Sequence, residues 1–521
     1  MAGASSEFER PVEIEGGRVQ GAALDPDKTV YGFKGIPFAA PPTGDLRWRP
    51  PAPVPAWSGV RPCTVYGPTC PQLKLPPPFD QDLGPMDENC LYLNVFTAAR
   101  EARERRPVMV WMHGGGFYGG SGSTDAYEGR SLAGRGVVLV TINYRLGPLG
   151  FLAHPWLSAE SGRGVSGNYG LLDQIAALGW VERNIAAFGG DPDRVTIFGE
   201  SGGARSVCFQ MSTPLSRGLF HRAIIQSGSP YRALGRLSEP RGGLPAIEEQ
   251  GAALARKLGC HNLVDLRRVP AEALVQAARA RTAPLISPWP TPQLPADSDL
   301  IAGPVLDGWV LPEDPLDLFR EGRQAPVPVI VGSNDAEASL FLGGLAGSSG
   351  GPAERLENLF PGHVQEILAA YPELSGAEPL IVLNRVLTDA IWTHPARALA
   401  RSVNRSGRKA FLYFFTKGRL GRLERFGAFH GIEIRFALGT DLTAKEPFTE
   451  EDWTLSRAMQ AYWVRFAETG DPTGPGAPAW PAYEEARDLC QELGAEIKAG
   501  PHPWGKACDV FDRIGEERRT A

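Results

Sequence analysis

The stretch Val195-Thr-Ile-Phe-Gly-Glu-Ser-Gly-Gly203 decides the fold. Val195–Phe198 is a short apolar run of the kind that forms a buried strand. Gly199-Glu200-Ser201-Gly202-Gly203 then matches G-x-S-x-G, and the residues up to about Met211 suit a helix. Strand, tight turn and helix in immediate succession form the context in which this motif lifts a serine clear of a sheet as a nucleophile. The chemistry accounts for the glycines. A serine on so sharp a turn has a strained backbone, and neighbours without Cβ allow other chain segments to approach closely. The helix that follows points its positive end at the reacting centre, where negative charge develops. As a bare pattern the motif also fits a glycine-rich turn with an incidental serine. The strand before it and the helix after it favour the nucleophile.

Upstream, His113-Gly114-Gly115-Gly116-Phe117 follows another apolar strand, Val108–Met112. Acyl transfer needs backbone N–H groups converging on one oxygen, and residues without side chains let them converge. Gly114 to Gly119 also satisfies G-x-G-x-x-G, the dinucleotide fingerprint. That reading requires a helix to begin where Gly119-Gly120-Ser121-Gly122 instead continues the glycine run, so the oxyanion reading is preferred.

Further strands are expected at Gly136–Tyr144, His221–Gln226, Pro328–Val331 and Lys409–Thr416. Between Gly170 and Phe188, Leu171, Ile175, Leu178, Val181, Ile185 and Phe188 recur every three or four residues, the signature of an amphipathic helix. Strands alternating with helices predict an α/β fold, with a mostly parallel sheet covered on both faces. Near the start, Val12–Glu15 and Arg18–Gly21 flank Gly16-Gly17 and read as a hairpin with the two glycines as its turn. The Pro-rich stretch Ile36–Pro55 reads as irregular covering structure. Residues 231–325, rich in Pro, Arg and Ala, and the helix-like residues 340–405 read as insertions capping one end of the sheet. No repeat or linker divides the chain, so residues 1–521 are expected to form one domain.

Composition excludes several classes. With 43% hydrophobic and 21% charged residues the chain is globular rather than disordered or fibrous. A net charge of −6 leaves no basic footprint for nucleic acid. No apolar run approaches the length of a membrane span. Eight His and no HExxH or CxxC spacing argue against a metal, and no cofactor is expected. Seven cysteines, an odd and sparse set, fit a reducing compartment. Together with an N-terminus that lacks the build of a secretory signal, this predicts a cytoplasmic protein.

The segments FKGIPFAAPPTGDLRW (33–48), ENCLYLNVF (88–96), VMVWMHGGGF (108–117), INYRLGPLGFL (142–152) and the run from Gly167 to Gly203 extend the pattern. IIQSGSP (224–230), YWVRFAETGDP (462–472) and WPAY (480–483) complete it. In this order and spacing they resemble the type-B carboxylesterases, the cholinesterase-like branch of the α/β-hydrolases. The resemblance implies an α/β-hydrolase fold and hydrolysis of a small-molecule ester through an acyl-enzyme.

A serine at neutral pH needs a base, and the base needs an orienting carboxylate. In this fold the chain order is Ser, acid, His. His363, His394, His430 and His502 lie late enough. His430 stands in a Gly-rich loop beyond a strand, and HGIEIRFALG resembles the family segment that carries the histidine. Asp335 and Glu337 both follow the strand Pro328–Val331; the family pattern selects Glu337. The same resemblance assigns the oxyanion N–H groups to Gly115, Gly116 and Gly202, where Gly202 replaces the usual Ala. It places Glu200 and Ser227 near the histidine.

Cys70 and Cys90 resemble the two ends of a disulfide found in secreted relatives, and two free thiols are expected here. The loop between them has no Trp, whereas cholinesterases place an indole there to hold a quaternary ammonium. Uncharged esters of short- to medium-chain acids are therefore expected, with Leu340 and Phe341 as apolar pocket walls or as core. Competing readings are a non-catalytic binding protein on the same fold, and an amidase, carbamate hydrolase or acyltransferase with the same triad. Monomer and homodimer both fit the sequence.

Overall fold

A computed structural model describes residues 6–520, apart from 75–81, 232–233, 242–244, 279–302, 343–351, 419–424 and 441–446. Parts of the two expected insertions, and of the loop between Cys70 and Cys90, therefore lie outside the described residues. The strands are β1 Val12–Ile14, β2 Gly17–Gln20, β3 Ala22–Ala23, β4 Tyr31–Pro37, β5 Val60–Pro62, β6 Tyr92–Thr97 and β7 Arg106–Met112. They continue as β8 Val138–Ile142, β9 Gly190–Glu200, β10 Arg222–Gln226, β11 Val329–Asn334, β12 Ala410–Phe415, β13 Leu489–Leu493 and β14 Ile497–Pro501.

Eleven of them form one sheet in the order β14-β13-β12-β11-β10-β9-β7-β8-β6-β4-β3. The seven from β13 to β8 pair in parallel, and the pairs at both edges are antiparallel. The expected strands are all present, several of them longer or shorter by a few residues. The hairpin forms as well, but its turn is Glu15-Gly16, because Gly17 pairs with Ile14. The turn falls one residue earlier than the glycine pair suggested.

Side chains alternate across a pleated strand, and here both faces are apolar. Val108, Val110, Met112, Ile197, Ile225 and Val331 enter the core on one face. Their neighbours Met109, Trp111, Phe198, Ile224 and Ile330 enter the core on the other. Burial on both faces is why these strands read as unbroken apolar runs. The amphipathic stretch forms the helix Tyr169–Asn184, closed by a 3₁₀ turn Ile185–Phe188. A third core joins residues of the 340–405 region to the C-terminal helix Gly505–Thr520, through Leu356, Leu383, Val386, Val510 and Phe511.

Candidate active site

Parallel strands deliver their following loops to one edge of the sheet, the edge where α/β folds build their sites. The loops after β7, β9, β10, β11 and β12 carry the residues singled out above.

Ser201 directly follows β9 and caps the helix Gly202–Ser212. Its backbone has φ 55° and ψ −117°, a conformation sterically disfavoured for any residue with a Cβ. Two features keep it there. Its N–H donates to Gln226 O on β10 at 2.9 Å. Gly199 and Gly203 press against the Met112 carbonyl so closely that a Cβ on either would collide with it. Ser201 is partly exposed, and its hydroxyl makes no hydrogen bond among the described residues.

The loop after β7 is fixed as firmly. His113 stacks on Tyr144 with ring centroids 4.3 Å apart, and the Tyr144 hydroxyl donates to His113 O at 2.8 Å. Burial holds the His113 imidazole down at about 4, so it is neutral. Gln72 brackets Gly120 with two hydrogen bonds of 2.7 and 2.8 Å. Gly115 has φ 105° and curls onto the Gly119 carbonyl, where a Cβ would clash. The α-carbon of Gly202 faces this loop, and a methyl there would lie 2.8 Å from Gly116 N. Among the described residues, no acceptor takes the N–H of Gly115, Gly116 or Gly202.

Glu337 and His430 come together although 93 residues separate them. His430 Nδ1 lies 2.6 Å from Glu337 Oε2. The other oxygen of Glu337 accepts the Asn334 N–H at 2.8 Å. The two loops are stitched by Ala336 N–H to Ala428 O at 3.0 Å, Asn334 Nδ2 to Phe429 O at 2.9 Å and Ser339 Oγ to Phe426 O at 2.7 Å. Glu337 is wholly buried. On the far side of the ring, His430 Nε2 is 3.1 Å from Glu200 Oε1, close enough for charge attraction but without hydrogen-bond alignment.

A residue that sequence reasoning missed completes this arrangement. Glu433 is buried and accepts from Gln226 Nε2 at 3.1 Å and from Asn334 Nδ2 at 2.6 Å. Gln226 Oε1 in turn accepts the Trp463 indole N–H at 3.2 Å. The signal was present, a Glu three residues beyond His430 in the same segment, but nothing in one sequence marks it as buried. Three buried carboxyls around one imidazole set its electrostatics. Burial pulls the His430 pKa down, but Glu200, Glu337 and Glu433 outweigh it and push it up to about 9. Burial, reinforced by the neighbouring carboxylates, raises Glu200 to about 8 and Glu433 to about 7.

The remaining candidates lie elsewhere. Asp335 is ion-paired to Arg385 at 2.7 Å. His394 pairs with Asp512 at 2.8 Å, His363 lies 3.6 Å from Glu366, and His502 packs on Phe414. Ser227 is buried at the end of β10 with φ 53°, its N–H donating to Gly332 O at 3.0 Å. It buttresses the strands under the serine turn, and its hydroxyl makes no hydrogen bond among the described residues. Leu340 packs into the core beside the sheet, whereas Phe341 reaches the imidazole, with centroids 5.4 Å apart. All seven cysteines are buried thiols; Cys70 and Cys90 are neighbours, and Cys70 Sγ accepts the Leu146 N–H at 3.3 Å. Among the described residues no helix is long and apolar enough to cross a membrane, and no group of three or more His, Cys, Asp or Glu could hold a metal ion.

The carboxylesterase family matches residues 9–510. The chain is 37% identical over 501 residues to fumonisin B1 esterase of Sphingopyxis macrogoltabida, covering 93% of this chain and 86% of that protein. It is 34% identical over 534 residues to para-nitrobenzyl esterase of Bacillus subtilis, covering 97% and 99%. The crystal structure of a Geobacillus stearothermophilus carboxylesterase superposes with a TM-score of 0.81 at 33% identity, covering 96% of this chain and 99% of that one. A serine presented on a strand-to-helix turn, in a chain that matches these esterases almost end to end, makes the protein an α/β-hydrolase that hydrolyses carboxylic esters, and it belongs to the carboxylesterase family.

Proposed function

We propose that Ser201, Glu337 and His430 are the catalytic triad of this esterase. The observation that carries the reading is the 2.6 Å contact between His430 Nδ1 and a buried Glu337, beside a serine held in a strained turn. Glu337 keeps the proton on Nδ1, which leaves Nε2 to act as base. Nε2 takes the Ser201 proton once substrate has bound and brought the two groups into line. The serine oxygen attacks the ester carbonyl, and the N–H groups of Gly115, Gly116 and Gly202 receive the developing oxyanion. The imidazolium then protonates the leaving alcohol, and water repeats the two steps on the acyl-enzyme. Glu200 and Glu433 add negative potential around the imidazolium.

The substrates proposed are small uncharged esters of short- to medium-chain acids. The apolar ring of Phe341 beside His430 supports this, as does similarity to a para-nitrobenzyl esterase. The chain is read as one hydrolase unit of the cytoplasm, which seven unpaired thiols support. The test is a series of p-nitrophenyl esters from acetate to palmitate, run on the wild type beside Ser201→Ala. Turnover of the short esters should fall at least about 10³-fold in the variant. Equal rates in both proteins would overturn the assignment.

A further inference from the structure

Residues 379–405 form a nearly continuous helical run with an irregularity at its centre. Pro379–Thr388 is α-helical, Asp389–Thr393 is a π turn, and His394–Arg405 is α-helical again. Such bulges are rare and recur at functional positions. The inserted residue resets the phase of the helix by about 100°. The run can then serve two surfaces. Leu383, Val386, Leu387 and Ala390 face the core shared with the C-terminal helix. Leu399 and Val403 face the core under the sheet.

The bulge is anchored to the strand and loop that carry Glu337. Asp389 is wholly buried, paired with Arg385, and accepts the Tyr371 hydroxyl at 2.9 Å. Arg385 reaches Asp335, donating to its carbonyl at 2.8 Å and its carboxylate at 2.7 Å. Thr388 Oγ1 accepts the Ala338 N–H at 3.1 Å, and Thr393 Oγ1 meets Ser333 Oγ at 3.1 Å. The segment therefore grips the chain on both sides of Glu337. What it presents to the site is Trp392. The indole centroid lies 5.3 Å from the His430 imidazole and 5.9 Å from Phe341, whose ring is within 17° of parallel to it. With Phe341 and His430 at 5.4 Å, the three rings form a nearly equilateral cluster.

We propose that Trp392, seated by the π turn, is a positioning residue for His430, fixing the ring together with Phe341 and stabilising the imidazolium that forms during acyl transfer. The proposal rests on the reading of His430 as the base. Aromatic rings within about 6 Å attract a cation and do so more strongly where water is excluded. The groups that otherwise set the charge of His430 are Glu337 beyond β11, Glu200 at the end of β9 and Glu433 on its own segment, with the Tyr413 hydroxyl of β12 close to all three carboxyls. Substitution of either ring leaves every one of them in place.

The test compares Trp392→Leu, Trp392→Phe and Phe341→Leu with the wild type and with Ser201→Ala. It measures kcat and KM for a short p-nitrophenyl ester across the pH range. Removing a group that stabilises the imidazolium lowers the pKa of the base. The acid limb of kcat/KM should therefore move to lower pH, by about 0.4–0.7 unit in either Leu variant. In Trp392→Leu, kcat should fall about tenfold with KM changed less than about twofold, and Trp392→Phe should recover most of the loss. A wild-type kcat and midpoint in the Leu variants would overturn the proposal, as would a rise in KM alone, the mark of a pocket wall. If Trp392→Leu does not fold, Phe341→Leu decides alone, because that ring is only partly buried. An active Ser201→Ala would defeat the triad itself. An inactive Ser201→Ala beside unaltered ring variants would defeat only the role of Trp392.

Discussion

Glu200→Gln isolates one charge at the heart of the site. The Glu200 carboxylate makes no hydrogen bond among the described residues, and Gln has nearly the same shape. The substitution therefore changes electrostatics and little else. A full charge 3.1 Å from Nε2, at an effective dielectric of ~20, would favour the imidazolium by about 5 kcal/mol, or roughly 4 pH units. That is an upper bound, because burial raises Glu200 itself to about 8, so its charge is only partly developed where His430 titrates. The two groups titrate as a pair, and the observed midpoints belong to the pair. The sign is nonetheless fixed. Glu200 raises the folded-state pKa of His430, so the active, neutral base appears only as pH rises through that value. Removing Glu200 should lower the midpoint of the acid limb of kcat/KM by about one unit and reduce its steepness to that of a single proton. The plateau rate should fall, because the imidazolium formed in the reaction loses a stabilising neighbour. The assay is kcat/KM for a short p-nitrophenyl ester from about pH 5 to about pH 10 at constant ionic strength. A midpoint that stays in place, or rises, would refute the assignment of His430 as base under the influence of Glu200.

Two further substitutions probe the scaffold of the site. In Gly202→Ala, a methyl 2.8 Å from Gly116 N must push the glycine loop after β7 outward. Although Ala is the more familiar residue at this position in the family the sequence resembles, kcat should fall about tenfold here with the fold intact, as read by steady-state kinetics beside a thermal melt. Glu433→Gln turns an amide donor towards either Gln226 or Asn334, both already donating there, and Gln226 cannot flip without abandoning Trp463. A loss of about 1–3 kcal/mol in unfolding free energy is expected from denaturant titration, together with a lower kcat/KM midpoint.

The legible parts of the fold and site share a physical property: their signal is local. The serine turn is strand, glycines and helix within about a dozen residues, and the helix 169–184 repeats its apolar positions over four turns. The pairing of Glu337 with His430 spans 93 residues, and local reading alone left Asp335 beside Glu337 and several histidines open. Resemblance to the family made the choice, and the structure places that Glu and that His in contact. Asn334, Gln226 and Glu433 carried no such mark. Gln226 and Glu433 are 207 residues apart, and each looks like an ordinary polar residue at the end of an apolar segment. The π turn is equally silent, because one inserted residue in a helix leaves no compositional trace. Even the hairpin turn was displaced by one position, since Gly16-Gly17 fits two registers and strand pairing chose between them.

The sheet order explains why the site has to be assembled from such distant pieces. β10 lies between β9, which ends just before Ser201, and β11, which leads to Glu337. The chain leaving β10 must clear the space between Ser201 and Glu337. It does so at Ser227, with φ 53°, and at Gly228, packed against Ser201 O so tightly that a Cβ would come within 2.7 Å of it. The serine turn is thus propped from β10 twice, through Gln226 O and through this sharp exit. The same Gln226 reaches through its side chain to Glu433, in the segment that carries His430. One residue therefore links the backbone of Ser201 to a carboxylate that biases His430. This favours treating Ser201, Gln226, Glu433 and His430 as one coupled unit. Substitutions within it should be strongly non-additive, whereas Trp392 reaches His430 from the separate brace of the π turn.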